Sequence, residues 1–423
     1  MNNYRSLNTN NYNNYLINYA DVSKLLLNKF SDVHSAYSLR KLNSNYTGSA
    51  IRVRRAIDNQ EFDIGFINDR INMSQLQDSC LGDEILTNGD LSNSGQLAVV
   101  TFTLGWRITS SDITNGNEIS ITNNTLKLIH NGTGDCRVWA TNGINQSLEP
   151  WVVGRKYLLK YRVVEKINHI QLRCYYNSAY NTIPSELGTN QVYITVTANT
   201  PNILVFSNST VNSTIALDNI SLKEVSDAYV TTWYDQNSNN DAIQLDNSKQ
   251  PQISTDGEIL LENGHPTLDF RTDTRYLQTG NFTQLVSPLS IFTVSKDLLI
   301  TNGFRTILGS SQSSETFFGL SNSNTYMAFA GVGAVSGYVN NLQQTINFLL
   351  MNGSSSAISR NNEVETGLNV GTGTYFTNYR IGSNWDNGSN WDATIQEVII
   401  FNADKSAQFE QILQEINEHY NTF

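Results

Sequence analysis

Short runs in which apolar and polar residues alternate recur along most of this chain, and asparagine, glycine or serine closes nearly every one. Ile51 and Val53 alternate with Arg52 and Arg54, then Phe62, Ile64 and Phe66 with Asp63 and Gly65, and Asp58-Asn59-Gln60 supplies the turn between them. In a strand, successive side chains point to opposite faces, so this period leaves one face for a core and one for water. The stretch reads as a β-hairpin with arginines on one face. A chain written largely in this pattern must pair its strands into antiparallel sheets and bury one sheet against another.

The pattern comes in two styles. After Cys80, ILTNGDLSNSG opens a series of short strands that runs through EISITNNTLKLI, KYLLKYRVVE, HIQLRCYY and QVYITVTA to IALDNISLKEV. Seven or more strands over about 140 residues, with Asn/Gly turns and no helical layer, fit one β-sandwich. The earlier style resumes at Tyr229 with YVTTWYDQNSNNDAIQ and continues for eight or nine strand candidates. The expected organisation is an N-terminal arm over 1–32, a discontinuous sandwich over 33–80 and 227–423, and an inserted jelly roll over 81–226. Helices are expected only at the ends. YADVSKLLLNKF (Tyr19–Phe30) groups Leu25, Leu26, Leu27 and Phe30, and Lys405–Tyr420 places Phe409, Ile412, Leu413 and Ile416 at helical spacing.

Charge narrows the function classes. The 423 residues carry 27 Lys and Arg against 38 Asp and Glu, a net charge of −11, which argues against nucleic acid or an anionic membrane as partner. No run approaches the roughly 20 apolar residues that cross a bilayer. Cys80, Cys136 and Cys174 are an odd, widely spaced set, so neither a zinc site nor a disulfide framework is expected. The N-terminal residues show no basic segment followed by an apolar one, so no secretory signal is expected, and release by cell lysis is the route this reading implies.

Two separated stretches resemble a known family. RKLNSNYTGSAIRVRRAIDNQEFDIGF and TTWYDQNSNNDAIQ are similar to the catalytic domain of family 54 α-L-arabinofuranosidase B, a concanavalin A/laminin-G-like sandwich, at Tyr46-Thr47-Gly48, Val53-Arg54-Arg55, Asp58-Asn59, Asp63-Ile64, Tyr234-Asp235-Gln236 and Asn240-Asp241. The late stretch YRIGSNWDNGSNWDATIQEVIIFN resembles that family's glycine-rich loop and closing strand. The pair AYSLRKL…YTGSAIRVRR and TWYDQ also resembles virion and tail-associated proteins of phages, and the insert resembles family 4/9/22-type carbohydrate-binding modules. The resemblance implies an all-β protein of two sandwiches that binds cell-surface glycans within a virion, as a head fibre, tail fibre or decoration component, beside other virion proteins and as a homo-oligomer.

The catalytic pattern is incomplete. Retaining glycosidases need two carboxyl groups about 5 Å apart, one nucleophilic and one acidic. The family's acid is an Asp in the glycine-rich loop, where this chain has Asn384, with Asp386 two residues on; the nearest candidate for the nucleophile is Glu315. Binding without hydrolysis is therefore the first expectation, and an arabinofuranosidase-type or purely architectural role the alternative. Sugar rings stack on aromatic faces flanked by amides and carboxylates. Trp385 and Trp391 with Asp386 and Asn387, and Trp139 and Tyr176 in the insert, are the candidates for that task. Arg54 and Arg55 are expected to pair with Asp58, Asp63 or Asp235, with Asx turns at Asp58 and Asp235. The module resemblance implies a structural Ca2+ at Asp90 and Asp218.

Overall fold

The computed structural model describes residues 25–423 except 94, 97–104, 109–115, 133–135, 141–151, 198–204, 209, 272–273, 299–302, 312–315, 374–375 and 385–388. The chain forms two compact units, one from Met1–Ser79 and Ala228–Phe423, the other from Cys80–Asp227. Both are built of antiparallel sheets.

In the discontinuous unit, Leu289–Asp297 lies at the centre of a sheet, paired with Thr345–Met351 on one side and Ala393–Phe401 on the other. Val33–Ser38 extends the sheet beyond Ala393–Phe401, and Ser356–Arg360 extends it beyond Thr345–Met351. Every residue of Thr345–Met351 and Ala393–Phe401 is buried, so both faces of this sheet are covered. One cover is the C-terminal helix Phe409–Tyr420, which turns Phe409, Ile412, Leu413 and Ile416 onto Phe292, Phe348, Ile399 and Phe401. A 3-10 turn at Ser406–Gln408 precedes it, and Asn421 ends it in the left-handed region, its N–H on the Asn417 carbonyl. At the other end of the described chain, Leu26–Lys29 forms one helical turn that buries Leu26 on the same cluster with Phe30; the rest of the predicted N-terminal helix lies outside the described residues.

The predicted hairpin belongs to the same continuous, closed sheet, joined to Ala393–Phe401 through Leu268–Asp269 and Gln252–Thr255. Ile51–Arg55 pairs with Glu61–Ile64 and, along its other edge, with Ala228–Trp233. Strands on either side of the break at residues 79 and 228 are thus neighbours in one ladder. Tyr37 lies 5.9 Å from the Trp233 ring and is hydrogen-bonded at 2.8 Å to the Tyr379 hydroxyl.

The inserted unit is two sheets over a core. One orders Gly188–Thr195, Lys156–Ile167, Ser213–Val225, Thr125–His130, Glu118–Thr122 and Gly95–Gln96; the other orders Ala179–Ile183, Leu172–Tyr176, Val205–Asn208, Cys136–Ala140 and Trp106–Arg107. Phe206 of the second sheet meets Trp106 beside it and Tyr161 of the first sheet. Trp106 is fully buried and donates its indole N–H to the Asn88 carbonyl, a core role. The first and last strands of the unit, Leu81–Glu84 and Ser213–Val225, pair with each other, so the chain enters and leaves side by side. All three cysteines are buried, and no disulfide joins them. Among the described residues, no helix is long and apolar enough to cross a membrane.

Candidate functional site

The five-stranded sheet of the insert has an outward face whose composition follows from period-two alternation. In Cys136–Ala140, Cys136, Val138 and Ala140 are buried while Arg137 and Trp139 are half-exposed. Leu172 and Cys174 turn inward and leave Arg173 and Tyr175 outside; Trp106 turns inward and leaves Arg107 outside. Register then aligns the outward residues across strands. One row pairs Arg107 with Trp139 and Tyr175 with Tyr180, with the backbone of Val205 in register between Trp139 and Tyr175. The adjacent row runs Arg137, Ser207, Arg173, Thr182, with Ser207 itself covered. With strands about 4.8 Å apart, the first row spans roughly 19 Å.

Local contacts hold these side chains in place. The guanidinium carbons of Arg107 and Arg137 lie 4.9 and 5.8 Å from the Trp139 ring, close enough for cation–π attraction. Tyr175 and Tyr180 meet edge to face at 5.0 Å, and Arg137 donates to the Tyr180 hydroxyl at 3.1 Å. Arg173 forks onto the amide oxygen of Gln171 at 2.8 and 3.1 Å. Tyr180 keeps 38% of its surface exposed. The result is an open shelf of aromatic rings and hydrogen-bond donors, suited to lying against a flat, hydroxyl-rich or charged ligand.

Of the glycan-binding candidates, Trp139 stands on this shelf. Tyr176 does not: it packs from the other face onto the insert's core, because the alternation that exposes Tyr175 turns its neighbour inward. Tyr175 and Tyr180 are the residues that face outward instead, and the strict in–out pattern of LRCYY carried that signal. Trp391 is also corrected. It is 1% exposed, its backbone N–H donates to the Gly382 carbonyl, and it sits among buried neighbours at the end of its loop, so it offers no open ring. Trp385, Asp386, Asn387 and Glu315 lie outside the described residues.

The flanks of Glu315 and Asp386 are described, and they adjoin. Gly309 pairs with Arg380, the Ser310 N–H donates to the Thr316 carbonyl, and Ser311 binds the Asn378 side chain. A Cβ on Gly309 would stand 2.9 Å from the Ser383 carbonyl oxygen and 3.0 Å from the Asn384 Cα. Arg380, stacked 4.3 Å over Tyr276, donates to the Asn384 carbonyl at 2.8 Å. Both segments therefore leave one rim of the discontinuous unit.

The motif residues form a structural knot with some partners exchanged. Arg55 forks onto Asp58, whose carboxylate also caps the Gln60 N–H, and the bonds from Arg55 hold Asp58 below the usual carboxylate range. Asp63 pairs with Arg52 at 2.8 Å through two nitrogens and accepts the Tyr234 hydroxyl at 2.7 Å; Arg52 holds its pKa down. Among the described residues, Arg54 reaches no carboxylate. Buried beside Tyr229, it donates to Gln250 at 2.7 Å and Asn59 at 2.9 Å. Asp235 meets no arginine either: it accepts the Ala36 and Asn237 N–H groups, tying the strand after the insert to the first strand before it. The larger ion pairs were not visible in the sequence. Arg40 forks onto buried Glu397 at 2.8 and 2.9 Å, and Arg305 meets buried Asp297 at 2.6 Å.

For Ca2+, Asp90 is engaged in its own turn with Ser92, and Asp218 stands opposite Arg162 in the ladder. The described residues contain no group of three or more metal-ligating side chains. These two carboxylates alone do not make the cage of about six to eight oxygens that calcium takes.

No protein-family model and no curated protein matches the chain. Among solved structures, a mutant GH54 α-L-arabinofuranosidase soaked with 4-nitrophenyl α-L-arabinofuranoside is 11% identical, with TM-score 0.43, covering 91% of this chain and 62% of that one. An arabinofuranosidase complexed with arabinofuranosyl-α-1,2-xylobiose is 12% identical, with TM-score 0.35, covering 60% and 61%. Trypanosoma rangeli sialidase with 2,3-difluorosialic acid is 10% identical, with TM-score 0.33, covering 45% and 31%. The chain spans less than two thirds of the length of each.

Proposed function

We propose that this is a glycan-binding protein whose inserted module holds sugar chains on the outward face of its five-stranded sheet. The observation that carries the reading is the cross-strand row that sets Trp139, Tyr175 and Tyr180 in register on an exposed face. Rings aligned across strands offer successive apolar platforms, and the flanking guanidiniums and hydroxyls supply directional hydrogen bonds. A glycan array probed with the full chain and with Trp139→Ala tests it. Signals that the substitution abolishes while the melting temperature holds support the reading; signals indifferent to it overturn the reading.

The place of such a protein, on the motif resemblance, is a phage particle, where repeated copies would add avidity for a host surface. A protein inventory of purified particles decides this, and absence of the chain from them ends the proposal. Hydrolysis of arabinofuranose-like side chains is the second reading, favoured by the adjoining flanks of the segments that carry Glu315 and Asp386. Release of a chromophore from an arabinofuranoside, lost in Glu315→Gln and Asp386→Asn, would establish it.

A further inference from the structure

The discontinuous unit carries a cleft of its own, about 430 Å3 in volume, beside the hairpin Ile51–Ile64, and its described lining residues all belong to that unit. Small-molecule sites run from roughly 300 to 1,000 Å3. Phe62 of the strand Glu61–Ile64 and Ile67 of the strand pair Phe66–Ile67 and Arg70–Ile71 give the cleft its apolar sides. The short helix Met73–Ser79 contributes Ser74, Gln75 and Asp78, and Asn72 stands just before it. Ile67 leaves 54% of its surface open to water.

The walls are fixed by bonds within the protein. Gln75 uses both ends of its amide on the neighbouring chain: Nε2 donates to the Asp63 carbonyl at 2.7 Å, and Oε1 accepts the Gly65 N–H at 3.0 Å. The Asn72 N–H donates to the Gly65 carbonyl at 2.9 Å, and the Asn72 side-chain oxygen accepts the Gln75 N–H at 3.1 Å. The Arg55 guanidinium carbon lies 5.1 Å from the centre of the Phe62 ring and steadies that ring, which still lines the cleft. A site held in this way loses little freedom when a ligand enters.

Three polar groups are left over. Among the described residues, the Asp78 carboxylate, the Ser74 hydroxyl and the Asn72 amide nitrogen make no hydrogen bond or ion pair. The carboxylate only accepts, the amide nitrogen only donates, and the hydroxyl does both. A sugar residue matches that mixture, because its hydroxyls also donate and accept and its ring carbons present an apolar face to an aromatic ring. An amine satisfies Asp78 but leaves the Asn72 donor unmatched. An acidic ligand meets Asp78, the charged side chain of the described lining, as a like charge.

We propose that this cleft is a second sugar-binding site, which takes one neutral sugar residue with its apolar face on Phe62 and its hydroxyls on Asp78, Ser74 and Asn72. It goes beyond the aromatic row of the insert and does not rest on it.

Ligand-observed NMR titrations with methyl α-L-arabinofuranoside, methyl β-D-galactopyranoside, methyl α-D-mannopyranoside and, as a cationic control, butylamine test it. They are run on the full chain and on the full chain carrying Trp139→Ala, which removes the insert's row from the result. At least one glycoside is expected to bind both. In the Trp139→Ala chain, adding Asp78→Asn should weaken that binding about tenfold, and adding Ser74→Trp, which fills the cleft from an exposed position, should abolish it, each with an unchanged melting temperature. Failure of every glycoside to bind overturns the proposal, as does binding indifferent to both cleft substitutions. Binding lost with Trp139→Ala alone overturns the cleft and leaves the insert's row as the sugar site; binding kept there and lost with the cleft substitutions does the reverse. Butylamine bound more tightly than every glycoside, and released by Asp78→Asn, overturns the sugar in favour of a cationic side chain.

Discussion

The two units use the same vocabulary of strands, asparagine turns, arginines and aromatics, yet they place charge in opposite ways. Among the described residues, every buried Asp, Glu, Lys and Arg belongs to the discontinuous unit: Arg54, Arg55, Asp235, Asp269, Asp297, Arg305, Glu397 and Lys405. Among its described residues the insert buries no such side chain, and Arg107, Arg137 and Arg173 of its five-stranded sheet are partly exposed. Buried charges are weak sources of net stability but costly to orphan, so they hold distant segments in one arrangement. The displayed arginines make local contacts on one face, with Trp139, Tyr180 and Gln171. The difference teaches that the motif-rich unit spends its recognisable residues on architecture, while the unit with the blander sequence carries the more open surface.

The harshest test of that contrast is Glu397→Ala, which strands Arg40 in the interior of the discontinuous unit and also removes the acceptor for Ser38 and Tyr420. A loss of about 3–5 kcal/mol is expected for that unit's unfolding transition in denaturant, with the insert's transition unmoved. A loss below about 1 kcal/mol would break the comparison. Gly382→Ala comes next. Gly382 has φ +88°, and an added Cβ would lie 2.3 Å from the Phe270 ring, so about 1–3 kcal/mol should be lost in the same unit. Trp139→Ala in the insert should behave in reverse, with glycan affinity down about tenfold and calorimetric stability changed by about 1 kcal/mol or less.

The smallest effect is a pH dependence. The tilted rings of His265 and His419 lie 4.5 Å apart beside Tyr420, with Arg40 and Arg70 near both. Burial, and then those positive neighbours, push both imidazoles below their ordinary value of 6.5. A histidine depressed in the folded state contributes stability that is full above pH 6.5 and declines as the pH falls below it, because the unfolded chain takes the proton first. The discontinuous unit should therefore melt earlier at pH 5 than at pH 7, and His419→Gln should flatten that slope. In the insert, His169 is the histidine held down, by burial, so its decline should be shallower. Equal slopes in the two units would count against the contrast.

Much of this was legible from local rules. The hairpin at Ile51–Ile64, the Asx turns at Asp58 and Asp235, and the apolar stripe of the C-terminal helix depend on residues a few positions apart. So did the in–out order of LRCYY, which was written in the chain but read one residue off at Tyr176. Trp391 was misplaced for a different reason: a Gly/Asn/Ser-rich loop reads as wet, and only the bond to Gly382 and its place at the entry to Ala393–Phe401 bury it. The ion pair of Arg40 with Glu397 could not be read at all, because no local pattern links residues separated by 357 positions. Asp235 shows the same limit on a smaller scale, since its turn was visible and its grip on Ala36 was not.

The side-by-side entry and exit of the insert has a consequence for how such a chain is inherited and assembled. A flexible loop of the insert's length would cost about 4 kcal/mol to close. A folded body whose first and last strands are already paired presents the surrounding sheet with two ends in hand. To the surrounding unit, whose chain breaks off at Ser79 and resumes at Ala228, the whole module is then a cassette held at one point, one that recombination can remove or exchange without rewriting the sheet around it.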